Sequence, residues 1–145
     1  MEKKIQDQAK IWFLLDRSGS MTSVAEDVIG GFNHFLAEQA ARTGECRMTV
    51  VQFDSEDPFE VIADGKKPGD VPELNDSVYQ PRGLTPLYDA MGKLIERADK
   101  RIARRAKAEK PAEDQLVVVF TDGLENDSRR YDRPEVFELV KKRQD

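Results

Sequence analysis

Oxygen-bearing side chains cluster in a short turn near the start of the chain. Asp16, Ser18 and Ser20 alternate directly after an apolar run, and Gly19 lies between the two serines. Because glycine lets the backbone bend tightly, this spacing can direct three side-chain oxygens toward one point. The turn therefore predicts a site for a cation.

A second acidic side chain stands at the end of another apolar run. Leu15-Asp16 closes the run at residues 11–15, and Thr121-Asp122 closes the run at residues 116–120, so we expect the two aspartates at the same relative position. If the two runs are neighbouring parallel strands about 4.8 Å apart, both carboxylates emerge at the same sheet edge. Two like charges that close would repel each other unless a cation lay between them. The pair therefore supports the same prediction.

Thr85 is a further candidate, in the segment Gly83-Leu84-Thr85-Pro86. Its hydroxyl could bind the cation, or it could only cap the helix that follows. Carboxylate and hydroxyl oxygens, with no histidine or thiolate nearby, suit a hard ion such as Mg²⁺ or Mn²⁺ and disfavour zinc. We expect one ion.

The elements that must position these residues follow from hydrophobic patterning. The uninterrupted apolar runs at 11–15 and 116–120 predict buried parallel strands. Residues 48–53 and 59–62, joined by a polar turn, predict a hairpin whose second strand lies at a sheet edge. The segment 64–82 lacks periodicity and is expected to be a loop with at most a short helical turn.

Three helices are predicted from apolar residues at helical spacing. The first covers residues 23–41, and Ser23 with Glu26 forms a possible capping box that would leave Ser18 and Ser20 without a capping task. The second covers residues 86–106, with Pro86 at its first position. A third begins near residue 132 and reaches almost to the last residue.

This order of elements predicts an α/β fold in one domain spanning residues 1–145. We expect a Rossmann-like open sheet, mostly parallel, with one antiparallel edge strand and helices on both faces.

Composition excludes some partners. A net charge of −5 gives no general attraction to nucleic acid or to an anionic membrane, and no apolar run is long enough for a membrane span or signal peptide. The basic segment 97–110 is better explained as a solvated helix end than as a nucleic-acid site. The single cysteine, Cys46, favours a reducing compartment, so we expect a cytoplasmic protein.

The motifs together resemble the von Willebrand factor type A (VWA) domain with its metal-ion-dependent adhesion site (MIDAS). The resemblance covers nearly the whole chain. It is carried, in the order and spacing of that family, by Asp16-x-Ser18-x-Ser20, Gly83-x-Thr85-Pro86-Leu87 and Val119-Phe120-Thr121-Asp122-Gly123.

The resemblance implies a role for each site residue. Ser18, Ser20 and Thr85 would contact the metal, whereas Asp16 and Asp122 would act through water or as outer acceptors. The remaining coordination position would bind an aspartate or glutamate of a partner protein. By this resemblance the chain is a protein-binding module and not an enzyme.

The chain departs from the family at its end, where the last two strands and at least one helix of such domains are absent. The strand ending at Phe120 would then be a sheet edge, open to self-association or to a complementing chain.

Two other classes of function stay open. A phosphohydrolase of the haloacid dehalogenase-like kind would use Asp16 as its nucleophile, but the second acid expected two residues later is replaced by Ser18. The only histidine, His34, has a helical position that suits packing or the surface better than catalysis. A scaffold that keeps the motif without binding metal is the third class.

Overall fold

The computed structural model describes residues 8–42 and 44–121 of the 145-residue chain. Short 3₁₀ helices at Gly19–Val24 and Pro68–Asp70 accompany the main elements. These elements are β1 (Gln8–Asp16), α1 (Ala25–Ala41), β2 (Glu45–Phe53), β3 (Glu60–Lys66), α2 (Leu87–Lys107) and β4 (Asp114–Phe120).

The described strands form one mostly parallel sheet in the order β3-β2-β1-β4. β1 pairs in parallel with β2 on one side and with β4 on the other, and β3 runs antiparallel along β2. The predicted α/β sheet with an antiparallel edge strand is therefore confirmed. Because β1 is central, its last residue lies between the carboxyl ends of two neighbours.

Alternate residues of β1 face two separate apolar layers. Phe13 packs against α1, with its ring centre 4.9 Å from that of Phe32 in an edge-to-face arrangement. Trp12 and Leu14 face the other way and pack against α2. Helices thus cover both faces of the sheet, as predicted, and β1 is buried from Lys10 to Asp16.

The predicted cap of the first helix is wrong. Ser23 lies inside the 3₁₀ helix, and Val24 occupies the N-cap position of α1 without a side-chain hydrogen bond. The preceding 3₁₀ turn already supplies an acceptor, since the Ala25 amide donates to the Thr22 carbonyl. The second predicted helix begins at Leu87, with Pro86 at its N-cap position and not at the first helical position as predicted.

The amino-terminal half of β4 is more exposed than predicted. Leu116 and Val117 are 47% and 46% exposed, because among the described residues β4 has a neighbouring strand on one side only. The predicted sheet edge at Phe120 stays a prediction, because residues 122–145 lie outside the described residues. The third predicted helix, from near residue 132, lies outside the described residues.

The segment predicted as a loop is fastened to α1. β3 continues to Lys66, beyond its predicted end, and a single 3₁₀ turn follows. Further on, the Asn33 side-chain amide donates to the Leu74 carbonyl at 2.9 Å and accepts from the Leu74 amide at 2.8 Å.

No helix in the described part of the chain is long and apolar enough to cross a membrane.

The basic segment at the end of α2 is largely solvated, in line with its interpretation as a helix end. Two of its arginines turn inward: Arg101 binds both carboxylate oxygens of Glu113 at 2.9 and 2.7 Å, and Arg105 lies 3.5 Å from the same group. Basic side chains in the last helical turn also complement the helix dipole. The basic residues of this segment are therefore explained by ion pairs with Glu113 and by the charge of the helix end.

Lys10 is a buried charge within β1. Its Nζ donates to Thr49 Oγ1 at 2.5 Å and lies 4.3 Å from the centre of the Trp12 ring. Burial, reinforced by the positive charge of Arg101, lowers the pKa of Lys10 from 10.5 to about 8. The folded chain holds this proton less tightly than the unfolded chain does, so the charge of Lys10 opposes folding at neutral pH.

We predict that the stability of the parent rises from about pH 8 to about pH 10, and that Lys10→Met removes this rise. Over this range the folded state releases the Lys10 proton while the unfolded state keeps it, which relieves a penalty of about 2 kcal/mol. Urea unfolding across this range measures the effect as the difference between the two proteins. Burial raises the pKa of the Cys46 thiol, which makes the stability fall as the pH rises. This effect is the same in the parent and in Lys10→Met, so it cancels in the difference. Equal slopes would contradict the prediction.

Candidate functional site

Asp16 is fully buried at the carboxyl end of β1, and both of its carboxylate oxygens are held. Oδ1 accepts from the Ser18 amide at 2.8 Å, and Oδ2 accepts from Thr121 Oγ1 at 2.7 Å. The Asp16 carbonyl also accepts a hydrogen bond from the Tyr79 hydroxyl. The Asp16 side chain is therefore fixed in one orientation by an amide of the following turn and by a hydroxyl that is distant in sequence.

The serine hydroxyls of the turn after β1 face each other. Ser18 Oγ and Ser20 Oγ are 3.1 Å apart, with Ser18 buried and Ser20 exposed. Ser18 occupies the N-cap position of the 3₁₀ helix, but its side chain makes no capping hydrogen bond. The Ser18 hydroxyl is therefore bonded to the Ser20 hydroxyl and not to the backbone of the helix.

The segment carrying Thr85 is held against this turn by its backbone. The Gly19 amide donates to the Gly83 carbonyl at 2.9 Å, and the Arg82 amide donates to the Arg17 carbonyl at 2.8 Å. Thr85 itself is buried, two residues beyond Gly83. The structure thus brings the Thr85 segment alongside the turn of Ser18 and Ser20.

The strand register corrects the expected match between the two aspartates. Leu15 pairs with Phe120, so Thr121 is level with Asp16 and Asp122 comes one residue later. The hydrogen bond from Thr121 to Asp16 follows from this register. Asp122 lies outside the described residues, so its predicted role stays a prediction. Counting from the last apolar residue of each run would have identified Thr121.

A charged network beside the turn was not predicted. Asp54 directly follows β2 and is fully buried, and its Oδ2 accepts from Arg17 Nε at 2.7 Å and from Arg82 Nε at 2.8 Å. A second arm of Arg17, Nη1, lies 2.7 Å from Glu60 Oε1 on β3. The available signal was that Asp54 ends an apolar run as Asp16 does.

The charge state of this network is set by its hydrogen bonds. Burial acts to raise the pKa of the Asp54 carboxyl, but the Asp57 amide, the Arg82 guanidinium and the Arg17 guanidinium outweigh it. The pKa of Asp54 therefore lies below its ordinary value. The carboxylate stays ionised at neutral pH, and the two arginines keep their anionic partner.

The donor set is chemically suited to a hard divalent cation. The described residues of the site offer hydroxyl and carboxylate oxygens, which are the ligands of Mg²⁺ and Mn²⁺. No cluster of three or more histidine, cysteine, aspartate or glutamate side chains with metal-binding geometry occurs in residues 8–42 and 44–121. Two cavities of about 790 and 970 Å³ lie at the opposite, amino end of the strands and do not include this site.

An open α/β sheet with polar loops at the carboxyl ends of its central strands defines the Rossmann-like class, whose ligands bind at that edge. Within this class the sequence matches the von Willebrand factor type A domain over residues 10–144, and the chain belongs to that family. VWA domains are generally protein-interaction modules. No curated protein matches the chain in sequence.

Solved structures with a similar fold include two VWA-like proteins. One is proximal thread matrix protein 1 from the mussel byssus, with a TM-score of 0.60 and 19% identity, covering 96% of this chain and 36% of that one. The other comprises three N-terminal domains of the type V pili tip protein Mfa5 from Porphyromonas gingivalis. Its TM-score is 0.56 at 17% identity, with coverage of 88% and 22%. This chain therefore spans only part of either protein, and the likeness shows the fold.

We predict that Gly83→Ala destabilises the fold more than Gly65→Ala. Both glycines have positive φ, 68° and 65°, so each alanine carries a strain of about 1 kcal/mol. A Cβ on Gly83 would also lie 2.5 Å from Ser55 Oγ, which accepts from the Leu84 amide, whereas a Cβ on Gly65 meets nothing within 4 Å.

The close contact at Gly83 should add about 1 kcal/mol or more to its cost. Urea unfolding of the two variants and the parent measures the difference. Equal destabilisation would mean that the contact between Gly83 and Ser55 is not tight in solution.

Proposed function

We propose that this VWA domain binds one Mg²⁺ or Mn²⁺ ion and, through it, an acidic side chain of a partner protein. Ser18, Ser20 and Thr85 would supply hydroxyl ligands, while Asp16 and Asp122 would act through water or as outer acceptors. The support comes from the family, from the motif and from the geometry around Asp16.

The observation that carries the proposal is the pair of facing hydroxyls at the end of β1. Ser18 Oγ and Ser20 Oγ lie 3.1 Å apart, a separation compatible with two ligands of one ion. Each carboxylate oxygen of Asp16 already accepts a hydrogen bond, one from the Ser18 amide and one from Thr121. This arrangement favours Asp16 as an outer acceptor.

The ligand type explains why such an ion would bind a partner. Neutral hydroxyls compensate less of the metal charge than carboxylates bound directly would. The ion would therefore retain attraction for an external carboxylate, and in a partly buried site this attraction is screened less than at an open surface. The bound metal supplies a Lewis-acidic contact, and the chain supplies its position.

A phosphohydrolase function has no support from the comparisons. Asp16 would have to be the nucleophile, yet its carboxylate is engaged on both oxygens and the residue two positions later is Ser18. His34 is exposed on α1, 3.4 Å from Glu38, which fits its predicted surface role. We therefore propose a binding module without catalytic activity.

We predict that millimolar Mg²⁺ or Mn²⁺ raises the melting temperature of the parent and does not raise that of Ser18→Ala. An ion at about ten times its dissociation constant adds about 1.4 kcal/mol to the stability of the state that binds it. Differential scanning fluorimetry with and without EDTA measures the shift. Calcium at the same concentration tests the choice of ion.

Ser23→Ala is the matched control for this experiment. It removes the same hydroxyl group from the same stretch of chain, but Ser23 is exposed inside the 3₁₀ helix. The control should keep the full metal-dependent shift. A parent whose melting temperature does not respond to either ion, or a Ser18→Ala variant that responds as the parent does, would overturn the proposal.

A further inference from the structure

Three segments meet at the carboxyl end of the sheet, and one carboxylate joins them. Asp54, after β2, contacts Arg17 in the turn after β1 and Arg82 in the segment leading to Thr85. We propose that Asp54 is a positioning residue that holds the two metal-binding segments in register. This inference rests on the proposed function and names a residue outside the metal motif.

The two oxygens of Asp54 have separate tasks. Oδ1 accepts from the amides of Glu56 and Asp57 at 2.8 and 2.7 Å, which closes the turn after β2. Oδ2 accepts only from side chains, namely Arg17 and Arg82. The local turn and the link to the other segments are therefore chemically separable.

Arg17 is held at both its backbone and its side chain. Its amide donates to the Phe53 carbonyl at 2.8 Å, and its guanidinium reaches Asp54 and Glu60 with different nitrogens. The side chain is only 5% exposed, so it has little room to take another rotamer. Because Ser18 follows directly in sequence, fixing Arg17 fixes the start of the metal-binding turn.

Arg82 transmits the same constraint to the other segment. Its Nε donates to Asp54 Oδ2, and its amide donates to the Arg17 carbonyl. The next backbone bond, from the Gly19 amide to the Gly83 carbonyl, continues this short ladder. The segment that carries Thr85 is thus set against the turn of the two serines by two backbone bonds and one shared carboxylate.

The network also compensates charge beside the cation site. Two guanidinium groups, of Arg17 and Arg82, face three carboxylates, of Asp54, Glu60 and, at 3.9 Å from Arg82, Glu56. Buried charges are tolerated only when paired, and removing one partner leaves the others uncompensated. Loss of the Asp54 charge would remove the shared and closest anionic partner of both guanidinium groups, so their positive charge would be less compensated and would disfavour a cation nearby.

Asp54→Asn separates the two tasks. Asparagine keeps the oxygen that accepts from the turn amides but places an NH₂ group against the two guanidinium donors. We expect its dissociation constant for Mn²⁺, measured by calorimetry, to rise about tenfold or more relative to the parent. In metal-free protein, amide exchange at Gly19 and Arg82 should accelerate about tenfold or more, while the amides of β1 and β2 stay protected.

Asp57→Asn is the matched control, since it makes the same chemical change in the same turn. Asp57 Oδ1 accepts from the Phe59 amide and lies outside the arginine network. The control should bind Mn²⁺ as the parent does and keep its exchange rates. Should Asp54→Asn fail to fold, Arg82→Gln removes one arm from a side chain that is 42% exposed, and it should show both effects in the same direction.

The two readouts distinguish the two proposals. A parent that binds no Mn²⁺ overturns the proposed function, whereas the metal-free exchange rates still decide whether Asp54 holds the segments together. Exchange at Gly19 and Arg82 in Asp54→Asn that matches Asp57→Asn overturns the positioning role. If the parent binds Mn²⁺, and Asp54→Asn shows faster exchange but the same Mn²⁺ affinity as the parent, the link between Asp54 and the metal site is overturned.

Discussion

The buried carboxylate of Asp16 is the constraint on which the rest of the site depends. A polar group at the end of a fully buried strand is costly unless every oxygen finds a donor. Here the donors come from the following turn and from the end of β4, and the adjoining carbonyl is bound by Tyr79. Satisfying one acid therefore orders several loops at the same sheet edge.

The parallel sheet makes this convergence possible. β2 and β4 both run in the direction of β1, so residues that follow the three strands emerge together. The apolar layers on both faces, centred on Phe13 and Leu14, keep the strands in register. On this rigid base, Asp54 and its two arginines hold the turn of Ser18 against the segment of Thr85.

Hydrophobic patterning was sufficient to predict the sheet, since uninterrupted apolar runs marked β1 and β4 and the turn-rich link marked the hairpin. The helix cap at Ser23 was wrong because a 3₁₀ turn precedes the helix and covers that position, which depends on backbone geometry. The alignment of Asp16 with Thr121 and the network around Asp54 depend on register and tertiary contact, which residue spacing along one strand does not encode.

The most direct test of the account is the position of a bound ion. Crystals of the parent soaked in Mn²⁺ would be measured at a wavelength where manganese scatters anomalously. The account predicts one anomalous peak in contact with the hydroxyl oxygens of Ser18 and Ser20, with Asp16 outside the coordination shell. Ordered crystals with no peak at this edge of the sheet, or with a peak bound directly by Asp16 in place of the serines, would contradict it.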